Sequence, residues 1–255
     1  MTFGAVGAGA FLVSAASGST IGMIVGWVLV AVLKGVLLLA DLGRPERVWR
    51  VFAKPRTSWI ARGSWAFAVF SATGLVACAL RLFNLWPSLA GVAAGVACIA
   101  SVILISYDGF FLMVSTGVYG WHSGALPLLF AADALLVGSA LVAALSGSVT
   151  PALSWLVLAT AVAKILAAWS YVVDIGSGLE SARISWHLLT QGSLRPMFVF
   201  VGLGVGSGVP LVIAAASFVV SVNPVGWAAA VICAAFGVWA IRVSVLKAGV
   251  HAKLS

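Results

Sequence analysis

Four ionisable residues, Lys34, Asp108, Asp133 and Lys164, stand inside long stretches of otherwise apolar sequence. A charge in such surroundings is expensive, so these residues either pair with one another or serve a polar cavity through which protons move. Tyr107 directly precedes Asp108, which sets a phenol beside a carboxylate. A phenol can donate a hydrogen bond to a ligand carbonyl, and a carboxylate within reach can accept the proton that a reaction releases. Such a cavity inside an apolar bundle suits a molecule with a greasy tail and a polar redox head, and a quinone answers that description. The plainer reading is structural: Lys34 snorkels toward the surface, and Asp133–Lys164 or Asp108–Lys34 are buried ion pairs.

The elements that position these residues follow from composition. Of 255 residues 63% are apolar and only 8% are charged, with a mean hydropathy of +1.18. A water-facing surface is normally about a quarter charged, so this chain is solvated mostly by lipid. Its apolar runs exceed the ~10 alternating residues of an outer-membrane strand and predict helices. The fold class expected is all-α, a polytopic membrane protein with a bundle of eight transmembrane helices in one domain over 1–255. The spans are Thr2–Ser17, Ile21–Ala40, Ser64–Arg81, Ser88–Val114, Leu126–Leu145, Ala152–Val173, Met197–Val220 and Val225–Val245. The first is short for a hydrocarbon core of ~30 Å at ~1.5 Å per residue. Gly4, Gly7 and Gly9 in the first span, and Gly202, Gly204, Gly206 and Gly208 in the seventh, predict close helix packing.

Eight spans place the N-terminus, the long loops Asp41–Gly63 and Asp174–Pro196, and the C-terminal tail on one face, side A. Arg44, Arg47, Arg50, Lys54, Arg56, Arg62, Arg183, Arg195, Arg242, Lys247 and Lys253 fall on A, against Arg81 alone on the opposite face, B. The net charge of +8 therefore reads as the positive-inside signal rather than a nucleic-acid patch, with A and both termini cytoplasmic. A basic face can equally dock an acidic partner subunit. Within Asp174–Pro196, helical spacing of Leu179, Arg183, Trp186, His187 and Thr190 predicts a short interfacial helix.

Other chemistries are disfavoured. Cys78, Cys98 and Cys233 stand singly in apolar helices, without the clustered spacing of iron–sulfur, zinc or disulfide sites. His122 and His187 lie in loops and His251 in the tail, so no helix offers an axial haem ligand, and no metal site is expected. Walker A, nucleophile-elbow and H-E-x-x-H motifs are missing from the sequence.

The block Asp41-Leu-Gly-Arg44-Pro-Glu46-Arg47-Val-Trp49, with Lys54-Pro-Arg56-Thr-Ser-Trp59 and Gly63-Ser-Trp65, resembles the membrane subunits of the polysulfide reductase (NrfD/PsrC) family. The resemblance continues through Ser106-Tyr107-Asp108-Gly109-Phe110, Val118–Phe130 and Gly192-Ser-Leu-Arg195-Pro-Met-Phe198, and so covers all eight helices. It implies an eight-helix anchor, free of haem and iron–sulfur clusters, that exchanges electrons between menaquinone or ubiquinone and a partner iron–sulfur subunit. A molybdopterin subunit would then carry out substrate catalysis. Tyr107 falls where relatives place a tyrosine at the quinone, Asp108 lies beside it, and Thr2 stands where some relatives have a polar residue entering the first helix. Proton transfer falls to Asp108, Asp133, Lys34 and Lys164, although relatives often have an acidic or neutral residue in place of Lys164. Asp41, Arg44, Glu46, Arg47, Arg50, Arg56 and Trp59 would form the docking face.

A different class of function uses the same intramembrane charges: an ion-coupled secondary transporter. Broken helices and inverted repeats would mark that class, and the two four-helix halves show no internal similarity.

Overall fold

The computed structural model describes residues 2–41, 45–56, 58–115, 117–146 and 149–250. Arg44, His251 and Lys253, and the side chains of Glu46 and Arg47, lie outside the described residues. Regular structure among the described residues is all helical: α1 (Thr2–Ser17), α2 (Thr20–Asp41), α3 (Trp59–Leu82), α4 (Pro87–Met113), α5 (Ala125–Leu145), α6 (Pro151–Gly176), α7 (Glu180–Thr190), α8 (Pro196–Ala216) and α9 (Pro224–Lys247). Short 3₁₀ segments at Pro45–Phe52 and Tyr119–Trp121 sit in the loops. All the helices except α1 and α7 are long and apolar enough to cross a membrane, seven in number among the described residues. Ile99, Leu166 and Ile232 stand exposed in the middle of such helices, as lipid-facing residues do.

Local chemistry explains the helix ends. Pro87, Pro151, Pro196 and Pro224 open α4, α6, α8 and α9, where a missing N–H costs nothing. Ser19, Ser58 and Asn223 cap α2, α3 and α9, accepting from the backbone N–H of Gly22, Ala61 and Gly226. α3 begins at Trp59, five residues before the apolar run suggests, because Ser58 caps it there. Arg62 extends its guanidinium back to the carbonyls of Pro55 (3.0 Å) and Arg56 (2.8 Å), so its charge is no obstacle to the helix. α8 stops at Ala216 rather than Val220, where Ser217 Oγ turns to donate to the Ala214 carbonyl at 2.6 Å.

α1 lies inside the bundle, packed against α2, α4 and α5, with nine of its residues buried, most of them glycine or alanine. A Cβ on Gly7 would sit 2.7 Å from the Gly26 carbonyl oxygen of α2. One on Gly138 of α5 would run into the α1 backbone at Gly9 and Ala10. The glycines thus allow backbone-to-backbone approach. In α8, Gly202 and Gly206 face Ile241 and Gly237 of α9 in the same way, whereas Gly208 meets nothing within 4 Å.

The short helix predicted within Asp174–Pro196 is present as α7; it turns Ala182, Ser185 and Leu189 inward and leaves Arg183 and His187 exposed. Three long-range bonds tie side A together: Trp121 Nε1 donates to the Val245 carbonyl (2.9 Å), Tyr171 Oη to Gly120 (2.8 Å), and Ser185 Oγ to Ala248 (2.6 Å).

Two of the long helices are not α-helical throughout. Residues Val28–Lys34 of α2 and Pro196–Gly208 of α8 form π-helix, a wider coil that often marks functional sites.

Candidate functional site: two buried ion pairs and a tyrosine crevice

Asp108 sits about one and a half turns from the A end of α4, 3% exposed. Its partner is Arg242 of α9, whose Nη1 donates to Asp108 Oδ2 at 2.6 Å. This corrects two sequence expectations. Arg242 is not a surface residue of side A but is 2% exposed, because it lies within α9 and turns into the bundle with Ile241 and Val245. The carboxylate of Asp108 therefore pairs with Arg242 and not with Lys34. The guanidinium also lies 4.4 Å from the ring centroid of Phe130, a cation–π contact that helps a desolvated arginine. Its Nε and Nη2 have no hydrogen-bond partner among the described residues, nor has Ser244 Oγ on the same helix.

Lys34 is half-buried at the end of the α2 π-helix and lies along Gly4, where a Cβ would come within 2.7 Å of its Nζ. Thr2 opens α1 close by, two residues before Gly4. Helix packing alone thus gathers Thr2, Lys34, Asp108 and Arg242 toward one end of the bundle.

Tyr107 faces a different way. One residue before Asp108, it is rotated about 100° around α4 and lays its half-buried ring over Gly63 of α3, where a Cβ would overlap the ring. It stacks on Phe111 at 6.1 Å. Below it, an apolar groove of about 480 Å³ opens sideways between α3 and α4, lined by Trp65, Val69, Val96, Ile99 and Ile103, with Pro55 and Arg62 at its A end. Ile103 stands one turn from Tyr107 on the same face of α4, and Tyr107 itself does not line the groove.

The second pair lies deeper. Lys164 Nζ is 2.8 Å from Asp133 Oδ1, and both side chains are fully buried. The pairing of Asp133 with Lys164 is the one the sequence offered. At this distance the two make a buried ion pair. A Cβ on Gly206 or Gly237 would lie 3.2 or 3.1 Å from Lys164 Nζ, so the close crossing of α8 and α9 makes room for the ammonium.

On the loop, Asp41, Arg50 and Arg56 are exposed, and Arg50 lies over the exposed Trp49 ring. Trp59 belongs to α3 and is half-buried, stacked on Phe110 at 6.0 Å, and the Arg62 guanidinium lies over its ring at 4.7 Å. Trp65 Nε1 donates to the Phe52 carbonyl and ties the loop to the bundle. His122 Nε2 bonds the Ser115 carbonyl at 2.7 Å. The free cysteines are buried (Cys78) or half-buried (Cys98, Cys233), each on its own helix.

Sequence reasoning missed Arg242, Gly63 and the two π-helical stretches. For Arg242 a signal was present, since apolar residues both precede and follow it up to Leu246. Compared with protein-family models the chain matches none, and no curated protein matches it.

Proposed function

We propose that the chain is the membrane anchor of a respiratory oxidoreductase complex, exchanging electrons between the quinone pool and a partner iron–sulfur subunit, as in the NrfD/PsrC family it resembles. The observation that carries this reading is the half-buried Tyr107 phenol, one turn of α4 from the Ile103 end of an apolar groove and one residue from a buried carboxylate. An isoprenoid tail fits the groove, and a ring carbonyl or hydroxyl meets Tyr107. Oxidising a quinol yields two electrons and two protons. In this reading the electrons leave toward side A, and Asp108, Lys34, Asp133 and Lys164 handle protons. Thr2 helps hold the head group. Asp41, Arg44, Glu46, Arg47, Arg50, Arg56 and Trp59 form the face on which the iron–sulfur subunit docks, with a molybdopterin subunit beyond it. α1 counts as an eighth span, and side A is cytoplasmic in a bacterial or archaeal inner membrane.

Tyr107→Phe removes one hydroxyl and keeps the ring packing. In the intact complex we expect quinol oxidation to fall by about tenfold or more while the subunits still co-purify; unchanged turnover removes Tyr107 from the site. The partners are tested by purifying the tagged chain in mild detergent and identifying co-purifying polypeptides by mass spectrometry.

A second reading, an ion-coupled transporter, draws on the π-helical stretches, because one ends on Lys34 and the other contains Gly206 beside Lys164. Substrate-driven flux by the isolated chain in liposomes, together with recovery of the chain alone from native membranes, decides for it.

A further inference from the structure

The groove between α3 and α4 is apolar along its walls and charged at one end. Arg62 is the only ionisable residue in its lining, and the Trp65 indole is the only other polar side chain. That indole N–H is taken by the Phe52 carbonyl at 3.2 Å. Arg62 is fixed in place: its Nε and Nη2 donate to the carbonyls of Pro55 and Arg56, and its guanidinium lies over the Trp59 ring. Two of the five donors of the fork are spent in this way. The side chain is exposed, so the others face outward, ready for an anion.

The turn that leads into α3 adds charge. Lys54 and Arg56, on either side of the lining residue Pro55, are exposed, and the Ser58 N–H closes the turn on the Lys54 carbonyl at 3.0 Å. Three cations therefore stand at the A end of the groove, and both ion pairs among the described residues lie elsewhere. The depth suits a lipid. Arg62 is the fourth residue of α3, between Trp59 and Trp65, where interfacial aromatics belong. From there the α3 wall runs ~10 Å inward to Val69. Groove and charge thus ask for two ends of one molecule, a long apolar chain and an anionic head. A quinone has the chain but no anion, and a zwitterionic phospholipid brings an ammonium toward Lys54 and Arg56. An anionic phospholipid meets both demands.

We infer that the α3–α4 groove is a binding site for one anionic phospholipid, with an acyl chain along Val69, Val96 and Ile99 and the phosphate on the Arg62 guanidinium. A planar guanidinium matches phosphate oxygens in pairs, and its prior anchoring lowers the entropy lost on binding. Lys54 and Arg56 supply the surrounding positive field, in the manner of basic pockets between membrane helices that hold anionic head groups. The site does not rest on the quinone reading. A quinone tail enters this groove only by displacing the acyl chain.

The purified full chain in mild detergent is titrated with phosphatidylglycerol and, separately, with phosphatidylethanolamine of the same acyl chains, and bound lipid is counted by native mass spectrometry. The wild-type chain should retain one phosphatidylglycerol with roughly fivefold preference over phosphatidylethanolamine. Arg62→Gln should erase that preference. Because Arg62→Gln also removes two hydrogen bonds at the start of α3, two further variants leave those bonds alone. Val69→Trp, which sets an indole in the groove, should abolish retention of both lipids, and Lys54→Gln should weaken only phosphatidylglycerol. Equal retention of the two lipids by the wild-type chain overturns the inference. So does phosphatidylglycerol retention that survives Val69→Trp, since the lipid would then sit on the basic turn and not in the groove. Ubiquinone at equal concentration should leave the phosphatidylglycerol bound; its displacement would assign the groove to quinone, whereas the role of Tyr107 is read separately from the turnover of Tyr107→Phe.

Discussion

Arg242 and Asp108 hold each other in a place where neither could stay alone. Removing one partner of a buried pair costs about 3–5 kcal/mol, whereas replacing both by apolar groups of similar size is often nearly neutral. Asp108→Leu alone should therefore lower the melting temperature in detergent strongly, and Asp108→Leu with Arg242→Met should recover most of the loss. Equal melting temperatures for the single and double variants would show that the pair is not buried together. Tyr107→Phe belongs to this scale too, but with the opposite profile: activity falls and stability does not. The pairing of Asp133 with Lys164 could be read as a choice among few intramembrane charges of opposite sign. The partner of Asp108 could not, since it stands 134 positions away, on a helix whose rotation about its axis an apolar run does not fix.

Helices pack closely here where side chains are missing, and the positions that matter are specific. Gly138→Leu would force α5 off α1, because its Cβ already meets the backbone of Gly9 and Ala10. Gly91 and Gly95 of α4 meet nothing within 4 Å. Alanine at either should leave folding intact and stabilise the helix by up to about 1 kcal/mol. Comparing monodisperse yield and thermal unfolding of these three variants checks the crossing; loss of fold in Gly91→Ala, or a well-behaved Gly138→Leu, would contradict it. Apolar run length located nearly every helix within a few residues, and α1 coincides with its predicted span. The larger error, at the start of α3, arose because Arg62 interrupts the apolar run while its hydrogen bonds keep it in the helix. The π-helical stretches have no counterpart in hydropathy, because an apolar run is compatible with either coil.

For the whole molecule, the charge count and the helix count make one joint prediction. Cysteines introduced at the exposed Arg56 and Arg183 should be labelled from one side of the membrane, and those at Asn84 and Val225 from the other. A tag at the N-terminus should be reached from the Arg56 side if α1 crosses, and from the Asn84 side if it does not. The hydrogen bonds joining Trp121, α6, α7 and the end of α9 already group those loops at one end. What the sequence determined by itself is the solvent, the class of fold and the approximate length of each helix, since burial in lipid depends on composition and on runs of neighbouring residues. Only the tertiary structure decided which charges meet and which ring covers Gly63. Those depend on the rotation and crossing of helices far apart in the chain, set by side-chain shapes that no local pattern records.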